Sequence, residues 1–186
     1  MPMPPNDASK PDTRTAILEA VERVIVRDGA RKTTIDAVVI ESGFSKGGVL
    51  YHFPSKSALL AGLVERSVAQ FEADFQLALD ASVAAGEPIE RHLIDIHCAP
   101  DLHKQTVFRS LLAVIAEEPE LLAPARDLKR RIEARLMETS KDPVLTRIVI
   151  LAIDGLMHRD LLDFSPLSET DRDAVCARLN DLTKDL

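Results

Sequence analysis

The chain has no tryptophan, one tyrosine, seven glycines and two cysteines among its 186 residues. With so few glycines and a predominance of Leu, Ala, Val and Ile, the composition favours a helical protein. Cys98 and Cys176 lie far apart in the chain and set no disulfide framework, so a reduced, cytoplasmic compartment is the expectation. No apolar run approaches the length of a membrane span. The opening "MPMPPNDASKPD" lacks the apolar core of a signal peptide, and residues 1–10 read as a short disordered arm. There is no glycine-rich phosphate loop, no His-Glu-x-x-His and no Gly-x-Ser-x-Gly, which speaks against an enzyme, a catalytic residue or a cofactor. His97, Cys98, Asp101 and His103 in "DIHCAPDLHK" are metal-ligand types. They form no His-x₃-His or Cys-x₂-Cys pair, so a polar loop around Pro100 is expected rather than a metal site.

What is present is a chain 46% apolar and 28% charged, in the range of an ordinary globular protein. Its net charge of −7 is unevenly spread. Residues 1–60 carry eight basic against seven acidic side chains, and the remainder carry 15 against 23. The first third can therefore face a polyanion while the acidic part points away.

Helical periodicity runs through the whole chain and no strand alternation persists. A first helix is expected from Thr13 to Asp28 after Asp12, with Ile17, Ala20, Val21, Val24 and Ile25 on its apolar face and Gly29 at its end. Thr34 caps a short second helix to about Glu41. Gly43 allows a tight turn. Ser45 caps a third helix ending near Phe53, and Ser55 caps a long fourth helix with Leu60, Leu63, Val64, Val68, Phe71, Phe75 and Leu79 as its stripe. Prolines punctuate further helices at about 88–98, 102–118, 120–140, 143–163 and 168–184. Residues 148–153 are apolar on all sides, which requires burial on more than one face: the bundle's own core and, most simply, a second copy.

Residues 34–52 meet the demands of a helix-turn-helix, whose second helix enters the DNA major groove. Val38, Val39 and Val49 can pin the short helices. Gly47 and Gly48 let the backbone approach closely. Lys46, Tyr51 and His52 offer a cation, a phenol and a ring N–H. Lys56 stands at a helix start, a setting suited to phosphate.

The stretch "TIDAVVIESGFSKGGVLYHFPSKSALL" resembles the N-terminal domain of tetracycline-repressor (TetR) type bacterial regulators. Thr34, Gly43, Ser45, Gly47, His52, Phe53, Ser55, Lys56 and Leu59 stand in that family's register without gaps. Three positions depart from it: Leu50 replaces a usual tyrosine, Val38-Val39 replaces Ile-Ala, and Ser42 follows Glu41 before the turn glycine.

The resemblance implies an all-α fold. A helix-turn-helix domain over 11–57 would be joined by the long fourth helix to an effector-binding and dimerisation domain over 58–186. It also implies a repressor that binds a palindromic operator as a homodimer, through the 143–163 and 168–184 helices, and is released by a small molecule. Thr34, Ser45, Lys46, Gly47, Gly48, Tyr51, His52 and Lys56 are the expected DNA-binding residues. Phe71, Phe75, Phe108, Arg109, Leu112, Asp154, Met157 and His158 are candidate lining for a largely apolar effector. The competing reading is a helical effector-binding dimer that has lost DNA binding.

Overall fold

In a computed structural model of the protein, the described residues are 12–98, 110, 112, 114, 118–162 and 167–186. Their regular structure is entirely helical: α1 Thr13–Asp28, α2 Ile35–Ser42, α3 Lys46–His52, α4 Lys56–Ala85, α5 Ile89–Cys98, α6 Ala123–Thr139, α7 Pro143–Leu162 and α8 Glu169–Leu182. Short 3₁₀ turns occupy Ala30–Lys32 and Pro119–Leu122. The expected arm over 1–10, most of the expected 102–118 helix, and the candidates Asp101, His103, Phe108 and Arg109 lie outside the described residues.

The helix starts follow local side-chain chemistry. The hydroxyls of Thr34, Ser45 and Ser55 each accept the backbone N–H three residues on, at 3.1 Å. Each bond satisfies a donor that has no partner within its own helix. Asp12 stands at the start of α1, but its side chain makes no capping bond. Gly43 ends α2 with φ 73°, a left-handed conformation that side chains resist, and turns the chain towards α3.

Two apolar cores result. The first joins α1, α2, α3 and the start of α4 through Ile17, Val21, Val38, Val49, Phe53 and Leu60, and reaches Val114 and Leu122. Glu22 of α1 and Arg66 of α4, paired beneath the surface, fasten the same junction. The second joins the end of α4 with α5, α6, α7 and α8 through Phe75, Ile94, Leu136, Val149, Ile153 and Leu179. Helix α4 contributes to both.

The cysteines correct the sequence reading. Cys98, the last residue of α5, is disulfide-bonded to Cys176 in the middle of α8. Their separation of 78 residues hides a Cα–Cα distance of 6.2 Å, because α5 and α8 pack side by side. Cys98 is thereby withdrawn from the polar run once weighed as a metal site. Among the described residues no helix is long and apolar enough to cross a membrane.

The all-round apolarity of α7 divides into three directions. Val149, Ile153 and Leu156 are buried in the second core. Ile150 lines a cavity. Val144, Ile148, Leu151 and Leu162 face outward, with Leu151 69% exposed.

Candidate nucleic-acid interface and ligand cavity

Helices α2 and α3 are held from behind and open in front. Val38 and Val49 are completely buried, and Val39 packs against the same core. On the outer side Tyr51 is 85% exposed. The His52 ring meets Tyr51 edge-on, with centroids 5.1 Å apart. Lys46 is exposed and pairs with Asp36 of α2 at 2.8 Å. A cation held only by an exposed carboxylate can exchange that partner for a phosphate at small cost. Gly47 faces open space, whereas a side chain at Gly48 would approach the Ser45 hydroxyl at 3.2 Å and press on the cap. The hydroxyls of Thr34 and Ser45 accept cap hydrogen bonds in this state, which leaves the O–H of each to donate to a phosphate.

Lys56 opens α4, and its Nζ lies 3.5 Å from the Arg31 carbonyl. This contact brings the 3₁₀ turn with Arg31 and Lys32 to the edge of the motif. A separate cluster braces the back of α2. Glu41 accepts from Arg23 at 2.7 Å and Arg27 at 2.6 Å. The Arg23 hydrogen bond first, and Arg27 after it, hold the Glu41 carboxyl below its ordinary range.

Between the two cores lies a cavity of about 380 Å³. Phe71, Phe75 and Leu112 line it, and so do Asp154, Met157 and His158 from α7. Six of the eight residues expected from the sequence therefore share one cavity; Phe108 and Arg109 lie outside the described residues. Asp154 and His158 share a helix face, but the carboxylate turns to Lys129 of α6 at 2.5 Å. The His158 ring Nδ1 lies 2.6 Å from the Asp154 backbone carbonyl. Lys129 also reaches Glu133 at 3.9 Å.

Two regions of the sequence match the profiles of one family. Residues 17–63 match "Bacterial regulatory proteins, tetR family", and residues 89–184 match the "Tetracyclin repressor-like, C-terminal domain". The chain belongs to the TetR family of transcriptional regulators. A curated relative, the uncharacterized HTH-type transcriptional regulator YfiR of Bacillus subtilis (strain 168), is 46% identical over 55 residues. That match covers 29% of this chain and 27% of the relative, so the chain spans about a quarter of the curated relative's length. The fold is similar to that of the multidrug binding protein EbrR complexed with malachite green. That structure is 22% identical, with TM-score 0.68, and the match covers 91% of this chain and 98% of that one. A TetR-family member from Streptomyces coelicolor A3 is 21% identical, with TM-score 0.66, covering 91% and 98%.

Set in the TetR register, the departing residues have distinct surroundings. Leu50, in place of the usual tyrosine, stands at the surface, and Tyr51 beside it is far more exposed. Several residues escaped the sequence reading, among them Arg31, Lys129 and Gly62. Arg31 carried a signal in the adjacent basic pair before the Thr34 cap. Lys129 sits on a strongly charged helix where nothing distinguishes it from its neighbours. Gly62, a glycine inside a long helix, is a recognisable sign of close packing. A Cβ there would fall 2.6 Å from the Phe53 ring.

Proposed function

We propose that this protein is a dimeric, ligand-released repressor that reads a palindromic DNA operator with α3. The observation that carries the reading is the exposed face of α3. A phenol, an imidazole and a lysine crowd a seven-residue helix whose reverse side is pinned by the completely buried Val49. Lys46, Tyr51 and His52 contact the major groove or its phosphates. Thr34, Ser45, Gly47 and Gly48 shape the approach, and Lys56 with the start of α4 receives a backbone phosphate.

The second copy docks on the outward stripe of α7, Val144, Ile148 and Leu151, continued by Val175 and Leu182 on α8. All five are exposed apolar side chains in the single subunit. Gly155 on the same stripe has open space above it, which permits close approach of a partner helix. A two-fold pair places two copies of α3 in successive major grooves, about 34–36 Å apart.

The cavity holds the effector. Its walls favour a largely apolar molecule with two or three polar groups, in keeping with the dye bound by the EbrR structure. Occupation releases DNA if the ligand prefers the subunit arrangement that misplaces α3. The shared wall supplies the link, since Leu122 lines the cavity and also belongs to the DNA-side core.

Selection of duplexes from a random pool at moderate salt tests this function. Enrichment of a palindrome with half-sites one helical turn apart is expected. A folded dimer that enriches nothing, even at low salt, would leave the alternative of an effector-binding dimer without DNA binding. On an enriched site, Lys56→Ala should flatten the slope of log K against log salt by about one unit for all sequences. An unchanged slope removes Lys56 from the phosphate contacts.

A further inference from the structure

Cys98 and Cys176 are the chain's only cysteines, and they are joined to each other. Cys176 is buried within the second core, while Cys98 is only partly buried against it. The two residues of the bond therefore differ in burial, and Cys98 is the more exposed. We propose that this pair is a reversible thiol–disulfide exchange site that couples the cellular thiol balance to the stiffness of the cavity wall. The proposal rests on the reading above, that the protein acts on DNA, which sets it beside the genome, where thiols are kept reduced. A disulfide in such a compartment is characteristically transient and redox-sensing rather than a permanent staple.

The reaction balances with an external dithiol, or with two molecules of a monothiol such as glutathione, the second of which acts as the second thiol. A thiolate of the reductant attacks the Cys98 sulfur, the Cys98–Cys176 bond breaks, and the Cys176 thiolate leaves and takes up a proton. The second thiol of the reductant then attacks the mixed disulfide and frees Cys98 as a thiol. The protein gains two electrons and two protons, and the reductant becomes a disulfide. Oxidation runs the same steps in reverse. The chain holds no third cysteine to resolve the intermediate, so the partner is necessarily external.

The position of the bond gives it leverage. Cys98 terminates α5, whose Leu93 and His97 line the cavity. Cys176 adjoins Val175 on the outward face of α8. The crosslink thus ties a wall of the effector cavity to a helix of the proposed dimer face. When it opens, the polar tie described between α5 and α8 is the hydrogen bond from Asn180 to Asp95 at 3.0 Å. The last turn of α5 then loses its covalent tie to α8 and keeps that bond and the packing of Leu93, Ile94 and Ile96. A looser wall binds its ligand more weakly, because ordering it consumes part of the binding free energy.

The test equilibrates the full-length protein in glutathione buffers from fully reduced to fully oxidised, traps thiols by alkylation, and follows backbone hydrogen exchange by mass spectrometry. A reversible change between no and two alkylated cysteines within that range is expected. The amides of 94–98 should exchange on the order of tenfold faster in the reduced form, a coupling of ordinary allosteric size. Cys98→Ser and Cys176→Ser should both show the reduced profile in every buffer. A disulfide that persists in the most reducing buffer, or never forms in the most oxidising one, overturns the proposal. So does identical protection in the two states. Malachite green titrated into each form gives a separate reading of the cavity. Tighter binding by the oxidised form supports the coupling, and equal affinity overturns it. If the dye binds neither form while exchange still differs, the redox site stands and the proposed ligand class fails.

Discussion

Gly62→Val is expected to destabilise the protein more than any other single surface-neutral change in its DNA-side half. Gly62 lies in α4 directly beneath the Phe53 ring, with Leu18 beside it. Even the first added carbon would sit 2.6 Å from Phe53 and 3.1 Å from Leu18, inside contact distance. Phe53 is 2% exposed and packed within that core, so its ring yields only by displacing its neighbours. Overpacking of this kind costs about 1–3 kcal/mol for an inserted group, and a branched side chain stands at the upper end. For a chain of this size that corresponds to a fall in melting temperature of roughly 5–10 °C. Phe53 also terminates α3, so its displacement tilts the recognition helix, and operator affinity should fall with stability. Thermal unfolding followed by circular dichroism is the measurement. A melting temperature within a degree of wild type would show that the ring shifts freely and that Gly62 is not a packing constraint.

Leu151→Glu should convert the proposed dimer to a folded monomer. In the isolated subunit Leu151 is 69% exposed, so the substitution removes little from the subunit's own core. At a two-fold interface it acts twice. Each buried leucine contributes about 1.5–3 kcal/mol, and the introduced carboxylates would be desolvated against apolar neighbours. A loss of about 3–6 kcal/mol raises the dimer dissociation constant by roughly two to four orders of magnitude. Light scattering at micromolar concentration distinguishes the outcomes, and circular dichroism checks that the monomer stays helical. An intact dimer would place the interface elsewhere. The neighbouring Ile150→Glu is a poorer probe, because Ile150 faces the cavity and its loss disturbs ligand and fold together.

These two positions also show which parts of the molecule could be read beforehand. The first four helices and their boundaries were legible because most boundaries are written locally: capping hydroxyls start α2, α3 and α4, positive-φ glycines end α1, α2 and α4, and Pro54 follows the end of α3. Helix α7 was legible only as a demand for two partners. Six apolar residues in a row identify no face, so the distinction between Ile150 and Leu151 had to come from packing. The cavity was half legible. Phe71, Phe75, Met157 and their neighbours follow from inward faces, but the Lys129–Asp154 pair depends on the register of α6 against α7, which no single segment contains. The disulfide was hidden for the same reason: nothing in the sequence between two cysteines 78 positions apart states that α5 and α8 lie side by side.

The cavity wall is made of two kinds of residue, and they differ in how freely they can change. Leu122, Phe71 and Ala125 face the cavity while packing into the core that supports α3. Ile132, Met157 and His158 also face it, but belong to or border the second core or the solvent. Altering the first group to admit a new molecule disturbs the packing behind α3 at the same stroke. Altering the second group leaves that packing intact. On the proposed function, a sensor with changed chemical taste and unchanged target genes is therefore reached through α7 and the part of α6 from Ile132 onward, with Ala125 left alone, and a library confined to those positions should be far richer in working variants than one spread evenly around the cavity.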